Sequence, residues 1–195
     1  PCCGDTARRA GNEYLFQMMA EAAIEVFKGY NVKTIVTCCP HGYHSFKKEY
    51  PNFGGEFTVY HHSEFILKLL NEGKLSPKSA AGSMTYHDSC FLGRYNDLYD
   101  PARAVLGKLG IQLKEMESSR EASLCCGAGG ARMWIEEEAD QRVNVARAKE
   151  VVATGAESVA AACPYCLTML QDGLDEVKPG TACKDIAELV VERLE

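Results

Sequence analysis

The chain has 195 residues, 46% of them hydrophobic and 25% charged, with a net charge of −6, enough for one large domain or two of roughly 100 residues. That balance excludes the basic footprint of a nucleic-acid binder and leaves no polybasic patch for anionic lipid, and no run approaches the roughly 20 apolar residues of a membrane helix. No signal-peptide pattern opens the chain, which predicts a cytoplasmic protein whose ten cysteines serve metal or redox chemistry in preference to disulfides.

Cys2-Cys3-Gly4 leads into a helix over about residues 11–29, where Tyr14, Leu15, Met18, Met19, Ala22 and Val26 recur at helical spacing. Asn31 marks a turn, and Lys33–Cys39 reads as a buried parallel strand ending at cysteines. A short helix over 42–49, a strand Phe57–Tyr60 and a helix His62–Glu72, capped by Ser63 or His62, follow. Gly73–Gly82, with Ser76, Pro77 and Ser79, is the linker candidate.

The second half repeats the pattern. Ser83–Asp88 is a strand running into Cys90, Pro101 opens a helix to Leu109, and Ile111–Met116 is the next strand. Cys125-Cys126-Gly127-Ala128-Gly129-Gly130 precedes a long helix over about 131–153, with Ile135, Ala139, Val143 and Ala146 on one face. Glu157–Ala162 is a strand ending at Cys163, followed by a helix over 164–174. Thr181–Cys183 leads into a final helix over 184–194. Alternating strands and helices predict an α/β fold: two pseudo-repeated units, residues 1–75 and 83–195, with parallel sheets and right-handed crossovers. Ligands in such folds bind at the carboxyl ends of strands, where Cys39, Cys90 and Cys163 fall.

Five cysteines of the second half are spaced as one site: Cys90, 34 residues, Cys125-Cys126-Gly127, 35 residues, then Cys163-Pro164-Tyr165-Cys166. Adjacent cysteines rarely bridge one another but suit a polynuclear iron–sulfur cluster, in which neighbouring thiolates bind different irons. Five soft thiolates also suit zinc, although four-coordinate zinc leaves one over. Cys163 and Cys166 alone also match a dithiol redox motif at a helix N-terminus. Gly127, Gly129 and Gly130 let bare backbone approach sulfide, with amides at the following helix start as donors. Arg132 offsets cluster charge or is a surface arginine. His87 is a proton donor beside the cluster or a structural histidine.

The first half carries a weaker echo. Cys2, Cys3 and Cys39 keep the spacing, but Gly42 breaks the CxxC and no cysteine precedes Cys2. Cys38, His41 or His44 can replace a ligand, while surface or structural roles suit the two histidines. His61-His62 suit a strand end and helix cap, Cys183 a buried small hydrophobe, and Glu136–Glu138 a solvated face. Pro1 and the missing leading cysteine point to the C-terminal part of a longer protein.

The stretches Cys2–Glu13, Tyr86–Cys90 with Leu92-Gly93-Arg94, and Cys125–Gly130 with Arg132-Met133-Trp134 resemble the CCG (cysteine-rich) domain family. That family includes heterodisulfide reductase subunits and the iron–sulfur subunits of anaerobic glycerol-3-phosphate dehydrogenase, glycolate oxidase and lactate utilisation. The extended matches most resemble membrane-associated iron–sulfur oxidoreductases encoded beside electron-transferring flavoproteins. The resemblance implies a noncubane 4Fe-4S cluster held by Cys90, Cys125, Cys126, Cys163 and Cys166, with zinc as the alternative. It implies electron transfer between a flavoprotein or other iron–sulfur subunit and quinone or a disulfide, with membrane attachment only through an upstream region. The departures at Gly42 and ahead of Cys2 put a first cluster, on Cys2, Cys3 and Cys39, in doubt and argue against the heterodisulfide itself as substrate.

Overall fold

The computed structural model describes residues 2–79, 82–138 and 141–194. Strands and helices alternate, and all the strand pairs among the described residues are parallel, so the fold is α/β. Gly4 turns the chain at φ +82°, where a Cβ would lie 2.9 Å from the Phe16 ring; only glycine accepts that combination cheaply. Helices α1 (Asp5–Arg9) and α2 (Glu13–Gly29) follow. They are separate helices because Asn12 caps the second, its side chain accepting from Leu15 N at 3.0 Å.

The apolar stripe named for this helix does not face inward. Tyr14, Leu15, Met18 and Val26 are exposed, while Phe16, Ala20, Ala23 and Ile24 are buried with Tyr50. Periodicity finds an amphipathic helix, but the smaller residues of the alternative stripe allow the closer approach. Strand β1 (Thr34–Thr37) pairs with β2 (Thr58–His61). Between them α3 (Pro40–His44) continues into a π-helical turn at Ser45–Glu49 and a 3-10 turn at Tyr50–Phe53. In α4 (His62–Asn71) the cap is His61, with Glu64 reaching back to the His61 amide in a capping box.

The second sheet runs β4 (Gln112–Leu113), β3 (Ser83–Tyr86), β5 (Ser158–Ala161), β6 (Cys183–Asp185). Its β3 is buried at every position, as expected of a strand covered on both faces. One cover is a core of Met84, Tyr86, Leu106 and Ile186, drawn partly from α5 (Asp100–Lys108) and α8 (Ile186–Val191). The other joins Val159, Ala161, Leu170 and Leu174 with α6 (Val143–Ala153) and α7 (Pro164–Val177). Gly173 sets the spacing of α6 and α7, since a Cβ there would come within 2.6 Å of the Asn144 carbonyl oxygen.

The long helix expected over 131–153 is not formed. Gly130 and Ala131 both take left-handed backbone (φ +64° and +65°), which no helix interior tolerates. A 3-10 turn, Arg132–Trp134, follows, and regular helix starts only at Val143. Ala139 lies outside the described residues, as does part of the Gly73–Gly82 linker.

Candidate metal centre

Three chain segments bring the five spaced cysteines together. Strand β3 continues through His87, Asp88 and Ser89 to Cys90. Strand β5 runs out to Cys163, which stands immediately ahead of α7; that helix has Pro164 and Cys166 in its first turn. Proline suits a first helical position, where its missing N–H costs nothing, and the helix dipole favours thiolate there. Cys125 and Cys126 arrive on the loop between the 3-10 turns at Arg120–Ala122 and Arg132–Trp134.

The five thiols influence one another in sequence, Cys90 with Cys125, Cys125 with Cys126, Cys126 with Cys166 and Cys166 with Cys163. Cys126, Cys163 and Cys166 are buried, and Cys90 and Cys125 half-buried. The shared protons split the five into donors and acceptors. Contact with Cys125 pushes Cys90 well above the usual thiol range, and Cys126 up to about 12. Cys125 falls far below it because Cys126 and Cys90 donate to it and Gly127 N–H adds a bond at 3.3 Å. Cys163 is held down to about 5, first by Cys166, against the opposing effect of burial and with help from His41.

The thiol group rests on a buried ion pair. Asp88 accepts from Arg103 Nη1 and Nη2 at 2.7 and 2.8 Å and from the Arg120 amide at 2.7 Å. Arg103 also grips Glu115 at 2.7 and 2.9 Å. Asp88 thereby ties the chain leading to Cys90 to the loop leading to Cys125. Arg94 closes the same loop by donating to the Ser123 carbonyl at 2.7 Å.

These residues fit a metal cluster on three observations. Five thiols influence one another's ionisation and none is in a disulfide. Gly127 turns at φ +94° with Val143 Cβ only 3.3 Å from where its own Cβ would be, keeping bare backbone beside Cys126. A buried polar atom, His87 Nε2, has no partner among the described residues. Among those same residues, His87, Cys126 and Cys166 form a compact group with potential ligand atoms within 4.8 Å of one another.

Other expected participants fall elsewhere. Arg132 is exposed and pairs with Glu137 (Nε to Oε1, 2.9 Å), and the amides following Gly130 belong to a 3-10 turn, so no helix start is directed at the thiols there. Gly129 and Gly130 line a narrow cleft with Asp5, Thr6, His41 and Tyr165. In the first motif Cys2 and Cys38 are exposed and Cys3 and Cys39 half-buried; burial pushes Cys3 up to about 12 and Cys39 to about 11. Their turn matches the second one locally, with Gly4 N–H donating to Cys2 Sγ at 3.5 Å, but Cys2, Cys3 and Cys39 do not form such a compact group.

Two residues near the site were not assigned to it by sequence. His41 is buried, with its ring 4.1 Å from Phe91 and edge-on to Tyr165 at 5.2 Å, and it helps to lower the Cys163 thiol, so a surface role is excluded. Arg147 is 0% exposed and donates through Nε to His87 Nδ1 at 3.1 Å. Its only sequence signal is a charge on the apolar face of α6, among Asn144, Val145, Ala148 and Val151. Cys183, read as a buried small hydrophobe, is partly buried against the α6–α7 core.

The fold is a parallel α/β scaffold that presents clustered thiols beyond its strand ends. The chain belongs to the CCG Cysteine-rich domain family, which matches residues 1–47 and 84–171. It is 47% identical over its whole length to an "EtfAB:quinone oxidoreductase" of Syntrophomonas wolfei and 50% identical over 97% of its length to the "Probable iron-sulfur-binding oxidoreductase FadF" of Bacillus subtilis. It is also 33% identical over 99% of its length to one subunit of the dihydromethanophenazine:CoB--CoM heterodisulfide reductase of Methanosarcina mazei. The chain spans 29%, 27% and 49% of these relatives. No helix among the described residues is long and apolar enough to cross a membrane.

Proposed function

We propose that the chain is the iron–sulfur electron-transfer portion of a larger oxidoreductase, two CCG units at 1–75 and 83–195, with one noncubane 4Fe-4S cluster in the second. Cys90, Cys125, Cys126, Cys163 and Cys166 would hold the cluster, and the observation that carries this is their convergence at one place, with Cys126 and Cys166 in a compact group and each thiol influencing the next. When bound, such a cluster supplies one-electron chemistry. The protein's part is to gather five thiols at one place, keep water from the buried three, and fix the loop geometry through Asp88 and Arg103. The kinship with quinone- and heterodisulfide-linked enzymes supports a flavoprotein or iron–sulfur donor and a quinone or disulfide acceptor, with any membrane attachment made outside these residues.

The dithiol alternative has one observation in its favour, the depressed Cys163 thiol. Burial weighs against it: Cys163 and Cys166 are 0% and 2% exposed, and a disulfide-exchanging thiolate must be reached by its partner. After anaerobic reconstitution, the chain is expected to absorb visible light and to give a paramagnetic signal that comes and goes with applied potential. A colourless chain holding one tight zinc contradicts this. So does disulfide exchange by the metal-free chain that survives Cys125→Ser and is lost with Cys163→Ser.

A further inference from the structure

Arg147 is the largest fully buried side chain among the described residues, and its surroundings point one way. Nη1 donates to the Ser118 carbonyl at 2.8 Å and pairs with Glu150; Nη2 donates to Ser123 Oγ at 3.0 Å. Ser123 Oγ in turn donates to the Asp88 carbonyl at 3.2 Å. A further donor, Nε–H, meets His87 Nδ1 at 3.1 Å. A guanidinium has donors and no acceptor, so Nδ1 must be the unprotonated nitrogen of the ring.

His87 is 1% exposed, and its own amide is fixed to the Ala160 carbonyl at 2.9 Å. A histidine ring whose Nδ1 is bare is not the doubly protonated cation, so the ring is neutral. A neutral ring with bare Nδ1 carries its one proton on Nε2. That atom is buried and has no partner among the described residues, while a ring nitrogen of His87 shares a 4.8 Å group with the sulfurs of Cys126 and Cys166. With Nδ1 engaged by Arg147, Nε2 is the nitrogen free to meet those sulfurs.

We infer that Arg147 locks His87 in the Nε2–H tautomer, making it a hydrogen-bond donor to the Cys126 and Cys166 thiolates rather than a metal ligand. A ligating histidine offers a bare nitrogen to the metal and donates through the other; here the polarity is reversed. Donation to a ligand thiolate withdraws negative charge, favours the reduced cluster and raises its potential. Arg147 is then a positioning residue acting through His87. This rests on the cluster assignment above.

The tautomer is read first in the ¹⁵N-labelled, metal-free 195-residue chain from two-bond ¹H–¹⁵N correlations, with His87 assigned by its disappearance in His87→Gln. Protonated Nε2 and bare Nδ1 are expected; the opposite tautomer overturns the inference without any variant having to fold. After anaerobic reconstitution, His87→Leu is expected to keep its full iron and shift the reduction equilibrium at least tenfold toward the oxidised form, about 59 mV for one electron. His87→Gln, which keeps an N–H, should recover part of that shift. Arg147→Met should lower the potential in the same direction, and adding it to His87→Leu should give no further shift. Full iron with an unchanged potential in His87→Leu, or loss of iron in His87→Gln, overturns the donor role alone. A wild-type chain that takes up no iron overturns the cluster assignment and the donor role with it.

Discussion

Replacing any one of Cys90, Cys125, Cys126, Cys163 or Cys166 by serine is expected to reduce cluster iron to less than about a tenth of the wild-type content, while serine at Cys2, Cys38 or Cys183 leaves it unchanged. The contrast follows from position. The five converge at one place, each thiol influencing the next, so removing one breaks the ligand set at its middle or end. Serine is a poor substitute because a hard hydroxyl, which keeps its proton at neutral pH, replaces a soft thiolate. Cys2 and Cys38 are exposed, and Cys183 lies in β6 with its thiol raised to about 12, chiefly by burial. Iron and acid-labile sulfide after anaerobic reconstitution check this, with circular dichroism confirming the fold. Full iron in Cys90→Ser or Cys125→Ser would remove that residue from the ligand set.

Arg103→Met is expected to cost about 3–5 kcal/mol of stability in the metal-free chain, and Asp88→Asn clearly less. Removing Arg103 strands Asp88, 4% exposed, with the Arg120 amide as its remaining donor and no opposite charge in contact among the described residues. Removing the Asp88 charge leaves Arg103 still paired with Glu115. The asymmetry arises because an uncompensated buried charge costs more than a lost pair. Urea unfolding followed by far-ultraviolet dichroism measures both. Equal losses would contradict the asymmetry, and a loss below about 1 kcal/mol for Arg103→Met would mean that the pair contributes little. Because Asp88 joins the Cys90 and Cys125 segments, Arg103→Met should also slow cluster uptake.

What could be read from the sequence was what local pattern determines. Short apolar runs ending in cysteine gave β1, β3 and β5, and the cysteine spacing picked out five thiols that the fold brings to one place. Two kinds of information were missing. The run over about 131–153 looks helical by period, but two successive left-handed residues at Gly130 and Ala131 are a backbone choice that periodicity does not register. The inward face of α2 depends on what packs against it, here Tyr50, and an amphipathic helix with two apolar stripes does not state that itself. Likewise Arg147 is 60 residues from His87, and His41 meets Cys163 from a distant segment. Neither contact leaves a mark on neighbouring residues.

The central claim is that five cysteines of one chain hold one polynuclear cluster. Iron and acid-labile sulfide per chain, quantified after anaerobic reconstitution of the 195-residue protein and its Cys2→Ser/Cys3→Ser variant, test it most directly. About four irons and about four sulfides are predicted for both proteins, as a single 4Fe-4S cluster in the second unit requires. One zinc without sulfide, or iron that disappears when Cys2 and Cys3 are replaced, would contradict the claim.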